Sequence, residues 1–492
     1  MAEEKFHLTS QQEEAIEAMK AFTESTEDKV FILTGYAGTG KTTLIRAYTK
    51  WLVSKGYVNR VRADKNTKRA KIFVPMASTG RAAKILRDKT EQAASTVHSA
   101  IYYYSGFNQN LEKMVQTIDE NKGVDNTGDL FLTFSFEPIE DENHTVYIID
   151  EASMISDTMT KHPTQALFGT GKLLADLFHY DPNGKFLFVG DNCQLPPIEG
   201  GSSPALNADY ISQHYGLSVR TAVLTDIIRQ QDGNDIIIAA SKVRELCDNN
   251  PPKVKWGRFP LRGYSHINVL PSQKQLVDLY VEEIRQKGYE AATLITNSNK
   301  NAQTLAGNIR QALGFKDPLL MEGELLLVTQ NNLPTTLMNG DLVVVKKIGG
   351  RRDMRAGLTF INVEVEELAS KQKYSVLLIE DILYANQINL TQEQQKDLFI
   401  DFYRRERSND VKEDTKKFQQ DLNDDPYLNA LRAVYGYAIT CHKSQGGEWE
   451  KVFVDIPRKM SHMPDRTTYQ WLYTAITRAS ETLYIADDFY IV

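Results

Sequence analysis

The sequence predicts an α/β protein with two main domains, each built on a parallel sheet flanked by helices and each carrying a smaller insertion. Apolar strand patterns alternate with helical patterns along most of the chain. The polar motifs directly follow the strands, which is where doubly wound parallel sheets bind their ligands. A chain of 492 residues also exceeds the size of a single hydrophobic core, so two to four domains are expected.

Composition limits the classes of function. The net charge of −7 argues against binding of nucleic acid over the whole surface, but a basic track over residues 50–89 leaves room for local binding. For the loop within that track, a merely solvated basic face is an equal alternative. No stretch approaches the ~20 apolar residues of a membrane span. The N-terminus lacks a signal-peptide pattern, and the three cysteines lack metal-ligand spacing, so we expect a cytoplasmic protein.

The first strand leads into a phosphate-binding loop. Residues 35–42 have the G-x-x-x-x-G-K-T spacing of a P-loop, with an apolar strand before them and a helix after them. Lys41 is expected to contact the β- and γ-phosphates, and Thr42 to bind Mg²⁺. A glycine-rich turn without a ligand is the alternative, and the flanking strand and helix disfavour it. The predicted nucleotide-binding residues of the loop are Gly35, Tyr36, Ala37, Gly38, Thr39, Gly40, Lys41, Thr42 and Thr43.

A helix precedes this strand, and Thr9 or Ser10 can cap it. The carboxamide of Gln12 can pair with the edge of an adenine, donating one hydrogen bond and accepting another. A plain capping segment is the alternative interpretation.

The second strand is followed by two polar clusters that suit the phosphates of a nucleic acid. Ser78 or Thr79 can cap a helix that carries Arg81, and a capped helix N-terminus beside a basic residue is a suitable phosphate contact. Thr96 and His98 lie in the next cluster. A lone histidine is more often structural, but these neighbours are short hydroxyl donors.

Between residues 101 and 145 the alternation loosens, which predicts a small inserted subdomain. Its aromatic residues, among them Tyr104 and Phe107, either stack on bases or form core. After it, a buried strand ends in Asp150 and Glu151. We expect Asp150 to bind Mg²⁺ and Glu151 to orient and polarise the attacking water.

Two further candidates complete the first domain. Gln194 lies in a loop fixed by two prolines, where its amide can contact the γ-phosphate, and a proline-rigid loop without a ligand is the alternative. Arg229 is a candidate for stabilising the charge on that phosphate.

The second domain repeats the pattern. A strand over residues 292–296 leads to Thr296, Asn297 and Lys300. Asn339 begins an Asn-Gly-Asp turn, after which several short strands predict an inserted β-barrel. The last polar loops place Gln445 and Gly446 for the nucleotide and Arg478 on a helix. Candidate nucleic-acid contacts in the same loop are Thr440, His442, Lys443 and Ser444.

Together these motifs resemble, in order and over nearly the whole chain, those of superfamily 1 helicases. The matching stretches are residues 35–42 (motif I), 78–84 (Ia), 95–99 (Ib), 150–153 (II), 190–197 (III), Arg229 (IV), 438–446 (V) and 473–478 (VI). Motif III, the Asn-Gly-Asp turn and the His442-Lys-Ser-Gln-Gly run are most similar to superfamily 1B, which contains RecD, phage Dda and Pif1 helicases. The Dda- and RecD-like members match better, because no clear Pif1 signature lies between motifs II and III. Cys441 and Ser480 depart from the family pattern without removing a catalytic group.

The resemblance implies two RecA-like domains, 1A at residues 1–98 and 146–245 and 2A at 246–338 and 432–492. It also implies a 1B pin insertion at 99–145 and an SH3-like 2B β-barrel at 339–431. The implied function is an ATP- and Mg²⁺-dependent DNA helicase that moves 5′-to-3′ on single-stranded DNA and acts at junctions with duplex DNA. A functional monomer in a bacterial or phage-infected cell is expected, with single-strand binding protein or replication and repair proteins as further partners.

Two alternatives stay open. One is an RNA helicase of the same superfamily, because discrimination of the 2′-hydroxyl is not visible in these motifs. The other is a nucleic-acid-stimulated ATPase that acts as a switch or loading factor and does not unwind.

Overall fold

The computed structural model describes residues 8–63, 70–121, 125–139, 144–159, 166–198, 201–227, 234–248, 253–413 and 415–492. Arg229 and residues 64–69 of the basic track therefore lie outside the described residues. The helices are α1 (Ser10–Glu24), α2 (Lys41–Ser54), α3 (Gly80–Thr90), α4 (Val97–Ile101), α5 (Leu111–Glu120), α6 (Leu173–Tyr180), α7 (Ala208–Tyr215), α8 (Ile236–Asp248), α9 (Gln273–Lys287), α10 (Asn299–Leu313), α11 (Asp381–Tyr384), α12 (Gln392–Ser408), α13 (Lys416–Asp424), α14 (Cys441–Ser444) and α15 (Arg466–Ile476).

The first sheet is parallel throughout and has the strand order β10-β1-β9-β7-β3-β2, with β4 paired to the end of β3. Its strands are β1 (Val30–Gly35), β2 (Val58–Asn59), β3 (Lys71–Ala77), β4 (Ser95–Thr96), β7 (His144–Asp150), β9 (Lys185–Gly190) and β10 (Val219–Leu224). Alternate residues of β1 pack into the hydrophobic cores on the two faces of this sheet. Phe31 and Leu33 pack with Leu44 and Tyr48 of α2, whereas Val30 and Ile32 join the core on the opposite face. Helices thus cover both faces, as parallel sheets require.

The second sheet is also parallel, in the order β11-β20-β19-β12-β18. Its strands are β11 (Ile267–Leu270), β12 (Ala292–Thr296), β18 (Ile439–Thr440), β19 (Trp449–Val454) and β20 (Ala479–Ala486). One face carries α9 and α10, and the other carries α15 together with α8. The prediction of an α/β protein with two helix-flanked parallel sheets is confirmed.

Helix α8, most of which lies in the range predicted for the first domain (146–245), packs with the second sheet. Its apolar residues Ile236, Ala240 and Val243 share a buried cluster with Leu472 and Tyr473 of α15. This packing follows from the apolar face that α8 presents to α15. The order of the elements along the chain does not predict that contact.

A third sheet is antiparallel, in the order β16-β15-β14-β13-β17. Its strands are β13 (Leu325–Val328), β14 (Leu342–Arg355), β15 (Leu358–Glu367), β16 (Lys373–Ile379) and β17 (Ala433–Tyr435). The backbone amide of Leu431 donates to the carbonyl of Leu377, and that of Ile379 donates to the carbonyl of Leu431. These bonds join the two edges into a small barrel, and β13 and β17 extend it beyond residues 339–431.

A fourth, small sheet has the order β5-β6-β8. Its strands are β5 (Tyr103–Phe107), β6 (Leu132–Ser135) and β8 (Ala166–Phe168). Strands β5 and β6 come from the segment predicted as an insertion, whereas β8 lies after β7 and pairs in parallel with β6. The aromatic side chains of this sheet contact one another, with the rings of Phe134 and Phe168 stacked at 4.8 Å.

Candidate active site and nucleic-acid surface

The P-loop joins the end of β1 to the start of α2, and its glycines are required by its geometry. Gly38 and Gly40 have φ angles of 81° and 75°, in the left-handed region that favours glycine. A Cβ on Gly35 would lie 2.8 Å from the hydroxyl oxygen of Thr39. The Thr39 hydroxyl in turn donates to the carbonyl of Tyr36 at 2.9 Å. The loop is thus a tight, internally bonded turn.

Gln12 supports this turn from α1. Its Nε2 donates to the carbonyl of Thr39 at 2.9 Å, and its Oε1 accepts from the amide of Thr9 at 3.1 Å. Thr9 and Gln12 form a reciprocal capping box. Gln12 therefore links the cap of α1 to the P-loop, and its pairing with an adenine stays a prediction.

Lys41 lies at the centre of the turn. Its ammonium group donates to the carbonyls of Gly35 and Tyr36 at 2.8 and 3.0 Å. Burial lowers the pKa of Lys41, and the carboxylates of Asp191, Glu151 and Asp150 oppose this effect. The ammonium therefore lies near these carboxylates at the mouth of the P-loop. A bound triphosphate would replace the loop carbonyls as the partner of this ammonium.

A cleft of about 960 Å³ opens in front of the P-loop and is lined by both parallel-sheet domains. This volume is at the upper end of the range of about 300–1,000 Å³ for small-molecule sites. From the first domain it is lined by Ala37, Gly38, Thr39, Gly40, Lys41, Thr42, Thr43, Asp150, Glu151 and Gln194. From the second domain it is lined by Gly446, Gly447, Trp449, Thr477 and Arg478.

Asp150 and Glu151 stand at the carboxyl end of β7, as predicted for a parallel sheet. The Asp150 carboxylate accepts from the amide of Glu151 at 2.9 Å. Glu151 has a φ of 51°, so its backbone takes a sharp turn out of the strand. Burial, and then the charge of Glu151, raise the pKa of Asp150. The partly buried carboxylate of Asp150 and the Thr42 hydroxyl line one cleft. Both are hard oxygen donors that fit Mg²⁺, whose charge would favour the ionised form of Asp150.

Gln194 lies in the same cleft and is only 4% exposed. Its Oε1 is buried and has no hydrogen-bond partner among the residues that the structure describes. An amide in this state is suited to a ligand in the cleft. Arg229, the other candidate of this domain, is outside the described residues.

Arg478 reaches the cleft from the second domain and is 6% exposed. Its guanidinium donates to the carbonyls of Thr474 and Gly447 at 3.0 and 3.2 Å and to the hydroxyl of Thr477 at 3.2 Å. These contacts come from its own domain, so they orient the side chain and leave it without a carboxylate partner among the described residues.

A network of four side chains at the cleft was not predicted. The carboxylate of Asp191 accepts from Tyr473 at 2.7 Å and from Arg244 at 2.5 Å. The hydroxyl of Tyr473 also accepts from the amide of Ala37 at 2.9 Å, and Arg244 lies 3.9 Å above the ring of Tyr36. The network joins the P-loop, motif III, α8 and α15. Asp191 and Tyr473 fall inside recognised motifs, but nothing in the sequence points to Arg244.

Arg81, which the sequence predicts to contact nucleic acid, lines the cleft in front of the P-loop. Its guanidinium lies 4.4 Å from the ring centre of Trp449. Burial lowers the pKa of Arg81 to about 10, so it is still a cation at neutral pH.

The other candidates of the first domain cluster at the ends of β3 and β4. The Oγ1 of Thr79 accepts from the amide of Ala82, and Thr96 caps α4 in a box with Ser99. The Oγ of Ser78 is buried without a hydrogen-bond partner among the described residues. Burial lowers the pKa of His98 to about 4, so His98 is neutral at pH 7.

The candidates of the second domain lie at the corresponding edge of its sheet. Thr296 and Thr440 are register partners on neighbouring strands, and the hydroxyl of Thr296 donates to Asp455 at 2.9 Å. The carboxamide oxygen of Asn297 accepts from Asn301, and Lys300 is exposed. These positions agree with a shared carboxyl edge for the polar groups of this sheet.

The candidate residues that follow β18 differ in their surroundings. The ammonium of Lys443 donates to Asn339, in the turn between β13 and β14, at 3.2 Å, and burial lowers the pKa of Lys443 to about 8. Burial also lowers the pKa of His442, whereas Ser444 is fully buried and donates to the carbonyl of Cys441.

Gln445 and Gly446, predicted to contact the nucleotide, turn toward the first domain. The Nε2 of Gln445 donates to the carbonyl of Leu195 at 3.2 Å, and Gly446 lines the cleft. Gly446 has a φ of 72°, and a Cβ there would lie 3.2 Å from that of Ala82. The Gly446 turn therefore allows close approach of the two domains.

No helix among the described residues is long and apolar enough to cross a membrane.

Two family models match the chain, an AAA domain over residues 7–246 and a UvrD-like helicase C-terminal domain over residues 435–486. The boundary between the matches leaves the barrel unassigned.

Three similar proteins illustrate the relationship. An uncharacterized protein of Methanocaldococcus jannaschii, MJ1519, is 23% identical over 93% of this chain and 36% of its own length. The ATP-dependent RecD2 DNA helicase of Deinococcus radiodurans is 23% identical over 93% of this chain and 47% of its own length. This chain thus spans less than half the length of either relative. The crystal structure of a Bacteroides Pif1 helicase with ADP-AlF3 and ssDNA has 15% identity and a TM-score of 0.48, covering 99% of this chain and 95% of that one.

Proposed function

We propose that this chain, which matches an AAA domain and a UvrD-like helicase C-terminal domain, is a superfamily 1B DNA helicase that uses ATP, moves 5′-to-3′ on single-stranded DNA and unwinds duplex DNA. One observation carries the proposal. The P-loop and Arg478 line the same cleft from two different parallel-sheet domains. A nucleotide bound there would touch both domains, so its hydrolysis would change how they meet. The direction of movement rests on the family resemblance.

In this proposal the first domain binds the nucleotide. The amides of the P-loop and the ammonium of Lys41 hold the phosphates, and Thr42 and Asp150 hold Mg²⁺. The metal would neutralise charge on the phosphates when bound. Glu151 orients and polarises the attacking water, and the Nε2 of Gln194 donates to the γ-phosphate.

The second domain supplies charge to the reaction. Arg478 donates toward the γ-phosphate, where an arginine in related NTPases is worth ~10³–10⁵ in rate. Arg229 is proposed as a second such group. Since Arg478 is held by carbonyls of its own domain, closure of the cleft carries it toward the phosphate, and loss of the γ-phosphate removes its anionic partner.

Nucleic acid is proposed to lie along the carboxyl edges of the two sheets. Thr79 and His98 would hold it on the first domain, and Thr296 and His442 on the second. The two pairs release and rebind the strand in turn. Each opening and closing of the cleft thereby becomes a step along the strand. Contacts to phosphates and stacked bases make such binding tolerant of sequence.

The experiment that tests this function compares two substrates with the purified chain, ATP and Mg²⁺. A duplex with a 5′ single-stranded tail should be unwound, and one with a 3′ tail should not. Unwinding of only the 3′-tailed duplex would refute the direction. Strand-stimulated ATP hydrolysis without displacement of either duplex would favour a switch or loading factor, and equal or greater stimulation by matched RNA would favour an RNA helicase.

A further inference from the structure

A second large cavity lies between the fourth sheet and the barrel with its helix α12. Its volume is about 500 Å³, and it is separate from the nucleotide cleft. One wall is aromatic and is formed by Tyr104, Phe134, Phe168 and Phe399. Phe134 and Phe168 stack at 4.8 Å, and Tyr104 contacts Phe134 edge-on at 6.0 Å. The wall therefore offers flat, partly exposed rings to the cavity.

The rest of the lining is rich in carboxamides, among them those of Gln330, Asn332, Asn389, Gln395 and Asn429. It also contains buried polar atoms without partners among the described residues. Three buried atoms of residues that line the cavity have no hydrogen-bond partner among the described residues, namely Oγ1 of Thr329, Oε1 of Gln395 and Nε of Arg432. Native proteins leave few such atoms unpaired, so the presence of three among the residues that line one cavity favours a polar ligand there.

Arg432 also brings an uncompensated charge. It is 3% exposed, and the side-chain hydrogen bond that the structure gives it runs from Nη1 to the Asn389 carboxamide oxygen at 3.1 Å. Two other buried arginines pair with carboxylates, Arg244 with Asp191 and Arg310 with Glu324, whereas Arg478 of the cleft does not within the described part of the chain. Arg432 has no such partner among the described residues. Burial lowers the pKa of Arg432 to about 9. A buried guanidinium of this kind is stabilised by an anion.

We propose that this cavity binds one nucleotide of the single strand, with its phosphate on Arg432 and its base on the aromatic wall. The inference rests on the proposed function, because it takes a nucleic acid strand as the ligand. Arginine suits phosphate oxygens through its planar fork of donors, and aromatic rings stack on any base. The amide of Gln395 adds a hydrogen-bonding group for the base edge or the sugar.

The cavity adjoins residues that the sequence already predicted to contact nucleic acid. Asn339 lines it and accepts from Lys443 of the second parallel-sheet domain. Phe168 of its aromatic wall contacts His98 of the first domain, with ring centres 5.0 Å apart. A strand that runs along both carboxyl edges can therefore enter the cavity without leaving these contacts.

The test measures the affinity of the full chain for a fluorescently labelled single strand over a range of salt concentrations. Arg432→Gln should weaken binding about tenfold and reduce the slope of log affinity against log salt by about 0.7, the value for one lost phosphate contact on a single strand. Phe168→Leu should weaken binding by about 5- to 150-fold, the equivalent of 1–3 kcal/mol of stacking, without changing the slope. The matched control is Arg262→Gln, an exposed arginine that pairs with Asp487 and does not line the cavity. It should change neither quantity.

Each outcome decides the proposal. Unchanged slope and affinity in both variants, with the wild type binding normally, would overturn the cavity site and leave the helicase function standing. Failure of the wild type to bind any strand would overturn both. If thermal unfolding shows that Arg432→Gln does not fold, Phe168→Leu alone decides. Free dAMP provides the remaining arm, because Arg432-dependent binding of dAMP with unchanged strand binding would make this a mononucleotide site and overturn the strand assignment.

Discussion

The hydroxyl of Tyr473 accepts a hydrogen bond of 2.9 Å from the backbone amide of Ala37, so helix α15 of the second domain touches the P-loop directly. The same hydroxyl donates to Asp191 at 2.7 Å. Amides of a P-loop are the groups that face phosphates, so this contact lies where nucleotide binding and domain closure meet. Opening of the cleft has to stretch or break it.

Tyr473→Phe removes that hydroxyl and leaves the Ala37 amide and a buried oxygen of Asp191 without a partner. Unsatisfied buried groups cost about 1–3 kcal/mol each, so we expect the midpoint of thermal unfolding to fall by at least about 2 °C. Tyr484→Phe is the control, since the Tyr484 hydroxyl makes no hydrogen bond with the described residues, and it should leave the midpoint unchanged. Equal midpoints for wild type and Tyr473→Phe would contradict the network.

Lys41→Ala and Glu151→Gln test the nucleotide site. Loss of a phosphate contact or of the group that polarises water should lower strand-stimulated ATP hydrolysis by at least about a hundredfold. Binding of single-stranded DNA should persist, because neither residue lies among the proposed strand contacts. Steady-state hydrolysis and fluorescence anisotropy measure the two effects. Lys274→Ala, at an exposed residue of α9 that pairs with Asp278, should retain full turnover. Undiminished turnover in either site variant would refute the assignment.

Arg478→Lys keeps the positive charge at the cleft but loses the planar fork of donors. We expect kcat for ATP hydrolysis to fall by about 10³-fold or more, with a smaller change in KM, because the arginine acts on charge that develops in the reaction. The control is Arg458→Lys, an exposed residue paired with Asp488. A large rise in KM with unchanged kcat would instead make Arg478 a ground-state binding residue.

Lys443 predicts a pH dependence of strand binding. Burial lowers its pKa to about 8, so its ammonium is present below that pH and is lost as pH rises through it. If it contacts a phosphate, affinity for single-stranded DNA should fall by up to about tenfold between pH 7 and pH 9. Lys443→Arg stays charged and should remove this dependence. The same pH profile in both proteins would exclude Lys443 as the titrating contact.

Gly80 tests how closely the first domain packs on the turn between β13 and β14 of the barrel. A Cβ on Gly80 would lie 2.6 Å from that of Met338, and Lys84 of the same helix pairs with Glu367 of the barrel. Gly80→Ala should therefore force α3 and the turn apart and cost about 1–3 kcal/mol. Thermal unfolding measures the effect.

The matched control is Gly307→Ala in α10, where a Cβ would meet nothing within 4 Å and the midpoint should hold or rise. Met338→Gly removes the opposing Cβ. The double variant should thus be more stable than the sum of the two single changes predicts. Strict additivity would show that the two residues do not meet.

The sequence was most informative where function is local. The P-loop spacing, the carboxylates after β7 and the amide of Gln194 can be predicted because each motif directly follows its own strand. The network of Asp191, Tyr473 and Arg244 could not be predicted, because Asp191 and Tyr473 are 282 positions apart and an arginine inside an apolar helix carries no local signal. Arg81 illustrates the same limit. Its place in a basic helix predicts a nucleic-acid contact, and no local pattern predicts its contact with the ring of Trp449, which is distant in sequence.

A short connection joins the barrel to the second parallel sheet. Strand β17 ends at Tyr435, and after three residues β18 begins at Ile439 and delivers Thr440 to the sheet edge. A connection this short allows little movement of β18 relative to β17. A displacement of the barrel should consequently be transmitted to the loop after β18, which we propose as a nucleic-acid contact.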